Sequence, residues 1–409
     1  MSVALSRQSR RKGGIADRRR AALIQAQRRR RSGSSRRTRL REDVSKAPKP
    51  LGLYVIAAVT VTLVLLGIVM VLSASSIVSF HKGNSPWKYF LRQVMWAGLG
   101  TVAMGVAYRL RLTYLSTIAR VLPFIGVVMM LLPFTPGVGR SVNGARAWLV
   151  VGPFNVQPAE FMKLFLIIYG ADLLTRREKQ LADWRAGMWP YLKVVMVALL
   201  IAVVQSDIGS CVVIGAIGLS VLFLAGAPMR PLVGMSVISG VLGILYVMTD
   251  GTKLARFTSF LDIMGTREGD GYQVYQGWIS ISNGGLTGTG IGAGTGKWGY
   301  VPLAHSDFIF SIVAEEMGML GVIGVLLLFA FLIYFAFQAA INCKDRFGYL
   351  LASGIGCWFL VQTAINIGGV LGLMPVTGLT LPFISFGGSS LVVSMTAAGL
   401  LMNVARRPK

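Results

Sequence analysis

From Leu51 onward the chain alternates apolar stretches of about twenty residues with short polar or glycine-rich breaks. Ten of these stretches are long enough to cross a hydrocarbon core roughly 30 Å thick. They lie near 51–73, 88–108, 114–134, 157–175, 189–205, 207–226, 231–248, 307–339, 347–370 and 384–405. A lone segment in lipid must satisfy its own backbone, so each is expected to be a helix. Ten crossings put both termini on one side of the membrane. Arg109, Arg111, Arg176, Arg177, Lys179, Arg185, Arg230, Lys344, Arg346, Arg406, Arg407 and Lys409 all fall on that side. The bias of basic residues toward the inner face makes it the cytoplasm. The expected fold is an all-α polytopic membrane protein of ten transmembrane helices, with outer loops at 135–156, 249–306 and 371–383. The largest, 249–306, joins helices 7 and 8. In the third, Pro375, Gly378, Pro382, Gly387 and Gly388 would interrupt regular helix, as at a re-entrant segment buried against protein.

Composition supports this. The chain is 54% apolar and 14% charged, with a net charge of +25. The charge is uneven: residues 1–49 carry clusters of arginine against Asp17, Glu42 and Asp43 only. Repelling charges with little apolar surface predict a disordered, basic cytoplasmic tail at 1–49, followed by a membrane domain at 50–409. Such a tail fits anionic lipid headgroups or an acidic cytoplasmic partner, or serves only to fix topology. It has no aromatic residues to stack on bases, so no nucleic-acid partner is expected. The first apolar run is too long for a cleavable signal and reads as an uncleaved signal anchor. Three cysteines, Cys211, Cys343 and Cys357, form no framework.

Charges inside apolar helices are costly and generally have a task. Glu160 and Lys163 stand three apart in the fourth span, on one helical face, close enough to pair. Asp207 opens the sixth span in QSDIGS and reads best as a helix cap. Asp307 opens the eighth, at the end of the long loop, with Glu315 and Glu316 about 12 Å deeper. These groups are expected to converge on one outer-facing polar cavity, with Asp307 at its centre. Arg140 and Arg146, in a loop with Asn143, are placed to grip a phosphate. The run GLTGTGIGAGTGK is no nucleotide loop: no strand precedes it, and Trp298 follows Lys297 where Ser or Thr is needed. Two histidines are too few for a zinc site. A triad from His305, Ser306 and Asp307 is not expected, because adjacent residues rarely face one another.

Five stretches carry a resemblance: SVNGARAWL at 141–149, QPAEFMKL at 157–164, GYQVYQGWISISNGGLTGTGIGAG at 271–294, HSDFIFSIVAEEMG at 305–318 and GLMPVTGLTLPFISFGGSSL at 372–391. In content, order and spacing the chain resembles the SEDS family (shape, elongation, division and sporulation), over about residues 51–405. KWGYVPLAHSDFIF with GLTLPFISFGGSS looks more like its division branch than its elongation branch. The resemblance implies a peptidoglycan glycosyltransferase in the bacterial cytoplasmic membrane, at the division septum. Its substrate would be lipid II, the undecaprenyl-pyrophosphate-linked disaccharide-pentapeptide. Its partners would be a class B penicillin-binding protein (a transpeptidase) and other divisome proteins. The family's essential carboxylate falls on Asp307, its helical Glu and Lys on Glu160 and Lys163, and its loop arginine on Arg146.

The chemistry expected of such a site is a base for the acceptor hydroxyl and cations for the departing pyrophosphate. Asp307 would be the base. Arg146, Lys163 and a divalent cation (Mg or Mn) would hold the pyrophosphate; no nucleotide cofactor is expected. Supporting positions are Arg140, Asn143, Glu160, His305, Ser306, Thr377 and Ser385, with Gln273 and Gln276, beside Tyr272 and Trp278, as sugar contacts. Two rivals remain: a lipid II flippase, which would need polar groups along the whole path, and a scaffold that only recruits the transpeptidase.

Overall fold

The computed structural model describes residues 50–407 apart from positions 82, 143, 153 and 250. The tail at 1–49 and Asn143 lie outside the described residues. Each predicted apolar segment is helical. The first four correspond to α1 (Leu51–His81), α2 (Lys88–Arg109), the pair α3 (Leu112–Ile118) and α4 (Leu122–Leu131), and α5 (Pro158–Arg176). Next come α6 (Trp189–Val204), α7 (Ile208–Leu224) and α8 (Met229–Met248). The last three are α11 (Ile309–Ile341), α12 (Arg346–Val370) and α13 (Gly388–Ala405). Among the described residues six helices qualify as spans by length and apolarity, and α3 with α4, bent by 53°, would make a seventh. Pro123 enters at the start of α4, where its ring excludes the carbonyl four residues back, so the bend falls just before it. The remaining segments are helical but shorter or more polar: α5 carries Glu160, Lys163, Asp172 and Arg176.

Two expectations need correction. The fold is mostly helical but not all-α: region 135–156, read as a loop, forms a three-stranded antiparallel sheet of β1 (Gly139–Val142), β2 (Ala145–Val151) and β3 (Phe154–Val156), in the order β1-β2-β3. The register pairs Gly139 with Leu149 and Val142 with Ala145 across a two-residue connection. Ala147 and Leu149 are buried while Arg146 and Val150 are exposed, the period-two signature of a one-sided sheet. The stretch 249–306 is likewise not a plain loop, since it contains α9 (Gly251–Leu261) and α10 (Tyr272–Gly284).

The bundle is unevenly packed. In α12 and α13, 78% and 83% of the apolar window is buried, against 6% in α8, where Leu232 is the one buried residue. Small residues allow the close approaches: a Cβ on Gly399 would stand 2.4 Å from the Met104 carbonyl of α2. Asn403 donates to the carbonyls of Ala107 and Leu110, tying α13 to the end of α2.

α11 is two rods. At Gly318 the backbone leaves helical geometry (φ 66°, ψ −165°). The glycine-rich loop after α10 fills the gap: Thr289 and Gly290 donate to the carbonyls of Glu315 and Glu316, while Met319 and Leu320 donate to those of Gly285 and Leu286. The backbone groups freed by the break are thereby satisfied, as a segment at membrane depth requires.

Candidate active site

Asp307 sits two residues ahead of α11, half-buried, in a cleft whose other wall is the irregular segment between α12 and α13. Phe308, Ile365, Asn366, Val376, Thr377 and Gly378 are among the residues that line it. Gly378 holds φ +72°, and a Cβ there would lie 3.6 Å from Asp307 Oδ2. A side chain would be strained by the left-handed backbone, while its Cβ would make only an ordinary contact with the carboxylate.

Three successive carbonyls fasten the Asp307 strand of this cleft. The carbonyl of His305 accepts from Phe386 N (2.9 Å), that of Ser306 from Ser385 Oγ (2.6 Å), and that of Asp307 from Asn366 Nδ2 (2.9 Å). Ser385 also accepts from Leu381 N at 2.8 Å, and Gln93 of α2 donates to its carbonyl. The His305 ring packs against Tyr89 and Phe386, with centroids 4.8 and 5.8 Å away. Ser206, Leu303 and Phe383 are the non-glycine residues with positive φ among those described, and each lies in a connection beside these elements. Strained backbone persists where the surroundings over-determine it, which happens most often at functional sites.

Behind the cleft lies a buried polar chain. Lys163 Nζ is 2.7 Å from Glu160 Oε2 and donates to Gln362 Oε1 at 2.9 Å. Trp358 Nε1 donates to the same Oε1 at 2.7 Å, and Gln362 Nε2 donates to the Thr380 carbonyl. The ammonium also faces the Trp358 ring, 5.6 Å from its centroid. Glu160 and Lys163 thus neutralise one another and connect to the wall that faces Asp307.

The expected single polar cavity is instead several bonded groups. Asp207 caps α7 by accepting from Ser210 N, and takes Gln157 Nε2 at 2.8 Å. Glu315 accepts from Thr295 N and Oγ1 and from Gly296 N, and Glu316 is paired with Lys297 at 2.8 Å and with Ser73 of α1. Arg140 and Arg146 are exposed on strands rather than in a loop, and Arg146 N donates to the Gln205 carbonyl, docking the sheet on the α6–α7 turn. Thr377 lines the cleft. Gln273 donates to the Pro302 carbonyl at 3.0 Å and Gln276 is half-buried on α10, whose Gly277 would meet the Phe308 ring if it bore a Cβ. Sequence reasoning missed Gln362 and Asn366. Their mark is two amides four residues apart, one face of an otherwise apolar helix. Among the described residues no three His, Cys, Asp or Glu side chains gather to hold a metal. A divalent cation fits here only as Mg²⁺ does in phosphate sites, with one carboxylate and the substrate's oxygens as ligands.

Fold and site together define a multi-pass membrane protein with one half-buried carboxylate at a cleft walled by irregular backbone. The chain belongs to the FtsW/RodA/SpoVE family of cell cycle proteins, whose family model matches residues 54–409. It is 37% identical to stage V sporulation protein E of Bacillus subtilis over 350 residues, 85% of this chain and 95% of that one. It is also 37% identical to a probable peptidoglycan glycosyltransferase FtsW of Geobacter metallireducens over 357 residues, 87% and 95% of the two chains. Among solved structures it resembles a chain of a peptidoglycan synthase complex that coordinates polymerization and crosslinking (TM-score 0.71, 29% identity, 88% of this chain and 98% of that one). It also resembles the rod shape determining protein RodA of Thermus thermophilus (TM-score 0.63, 29% identity, the same coverage).

Proposed function

We propose that this chain is a peptidoglycan glycosyltransferase that polymerises lipid II at the outer face of the bacterial cytoplasmic membrane, during cell division. The relatives' names support the activity, and the FtsW relatives support the division role over elongation. The observation that carries the mechanism is the Asp307 carboxylate, half-buried in a cleft with the left-handed Gly378 opposite.

In this reading ten helical segments cross the bilayer with both termini cytoplasmic, and the sheet, α9, α10 and the cleft lie outside. The acceptor's sugar 4-hydroxyl attacks C1 of the donor sugar, and Asp307 takes the hydroxyl proton as the new C–O bond forms. The bond from C1 to the pyrophosphate breaks, and undecaprenyl pyrophosphate leaves as an anion that needs no proton. One displacement inverts the anomeric centre, giving a β-linked glycan from an α-linked donor. A positioned base of this kind contributes about 10²–10⁴-fold. Arg146 and Arg140, exposed on the sheet, supply positive charge toward the pyrophosphate. The buried Lys163 acts through Gln362 on the cleft wall rather than by direct contact. A bound Mg²⁺ or Mn²⁺ would supply further positive charge to the phosphates, with Asp307 as its protein ligand. A crosslinking class B penicillin-binding protein is the partner that the resemblance to the synthase complex supports. The test is polymerisation of purified lipid II by the full chain with that partner, read on a gel. Asp307→Asn should make no polymer while folding and binding its partner normally; polymer at the wild-type rate would sink the assignment.

A further inference from the structure

The cleft is backed by α12, which sets Gln362 and Asn366 one turn apart. Asn366 is 5% exposed, and its Nδ2 lies 2.7 Å from the Leu379 carbonyl and 2.9 Å from that of Asp307. A primary amide has two N–H groups, and both are used on carbonyls from opposite walls of the cleft. Only a donor satisfies two carbonyls, which fixes which end of the amide points there. Oδ1 is left buried with no partner among the described residues. Leaving a buried acceptor unmet is unfavourable, so the amide is oriented for its donors at the expense of its acceptor. Asn403 makes the same pair of bonds as a tie between α13 and α2; what sets Asn366 apart is that one of its two carbonyls belongs to Asp307.

We propose that Asn366 is a positioning residue for Asp307. By tying the base's own backbone to Leu379 it sets the distance between the carboxylate and Gly378, and hence the carboxylate's reach to an acceptor hydroxyl in the cleft. The inference rests on the reading of Asp307 as the base. It assigns Asn366 no contact with substrate. The neighbouring fasteners, Phe386 N on His305 and Ser385 Oγ on Ser306, do not involve the Asn366 side chain. What is released is the last link, the one adjoining the carboxylate.

The experiment compares wild type, Asn366→Ala, Asn366→Ser and Asp307→Asn as full chains with the transpeptidase partner. It measures initial rates of lipid II polymerisation over a range of substrate concentrations, beside thermal unfolding. Misplacement by about 1 Å costs on the order of 10²-fold, so Asn366→Ala should lose about 10- to 100-fold in kcat while KM stays within about threefold. Asn366→Ser keeps one donor and should fall between Ala and wild type. A kcat for Asn366→Ala within twofold of wild type overturns the proposal, as does a loss confined to KM or a Ser variant no better than Ala. Where the Ala variant does not fold, the Ser variant decides by the same split between kcat and KM. Loss of activity in Asp307→Asn with Asn366→Ala unimpaired removes only the positioning role. Full activity in Asp307→Asn removes the base and its positioning residue together.

Discussion

Asp307 and Glu316 stand nine residues apart on the same stretch of chain, and the protein treats their carboxylates in opposite ways. Glu316 is 1% exposed and receives hydrogen bonds from Lys297, Ser73 and Gly292. Asp307 is half-buried at a cleft, its backbone held by Asn366 and its carboxylate beside Gly378, whose left-handed backbone favours glycine. For Glu316 the surroundings saturate the charge, and the result is a staple between α1, the glycine-rich loop and α11. For Asp307 the surroundings fix the backbone and set the side chain at the rim of a small cleft. A charge buried inside the helix thus serves packing, while the one just ahead of it lines a cleft.

This contrast can be broken in four ways. Asp307→Asn is expected to lower polymerisation by about 10²–10⁴-fold with an unchanged melting temperature; a large stability defect would erase the distinction from Glu316. Lys297→Met should do the reverse, destabilising the fold by about 3–5 kcal/mol because Glu316 is left buried and unpaired. A second change, Glu316→Leu, should restore most of that loss, and thermal unfolding in detergent reads both. Gly378→Ala should destabilise the fold by about 1–2 kcal/mol, because a residue with a Cβ must then hold the left-handed backbone at φ +72°, and thermal unfolding reads it. Ser73→Ala, which removes one donor from Glu316, should cost about 1 kcal/mol and leave the rate of polymerisation alone.

Hydropathy made the helices legible because lipid admits few other solutions for a single segment. Even the bend between α3 and α4 lies next to a visible proline. The sheet was legible too, since Asn143-Gly144 is the commonest dipeptide of a tight hairpin, yet the region reads as a loop when only apolar length is counted. α9 and α10 were hidden by the glycines and charges around them. The Glu160–Lys163 pair stood out because charge is rare in apolar helices, and Asp307 because it borders one. The amides of Gln362 and Asn366 did not, because an uncharged polar side chain hardly changes hydropathy, and what gives these two their role is contact with residues distant in sequence.

The break at Gly318 has a mechanical consequence. The helical ladder of α11 is already interrupted there, so tilting the lower rod to follow changes in bilayer thickness requires no additional helical bond to rupture. The glycine-rich loop bridges the joint, donating to Glu315 and Glu316 before it and accepting from Met319 and Leu320 after it, while Ser73 of α1 bonds Glu316. The rod that starts just past Asp307 is therefore anchored by the loop and α1 as well as by its own helical ladder.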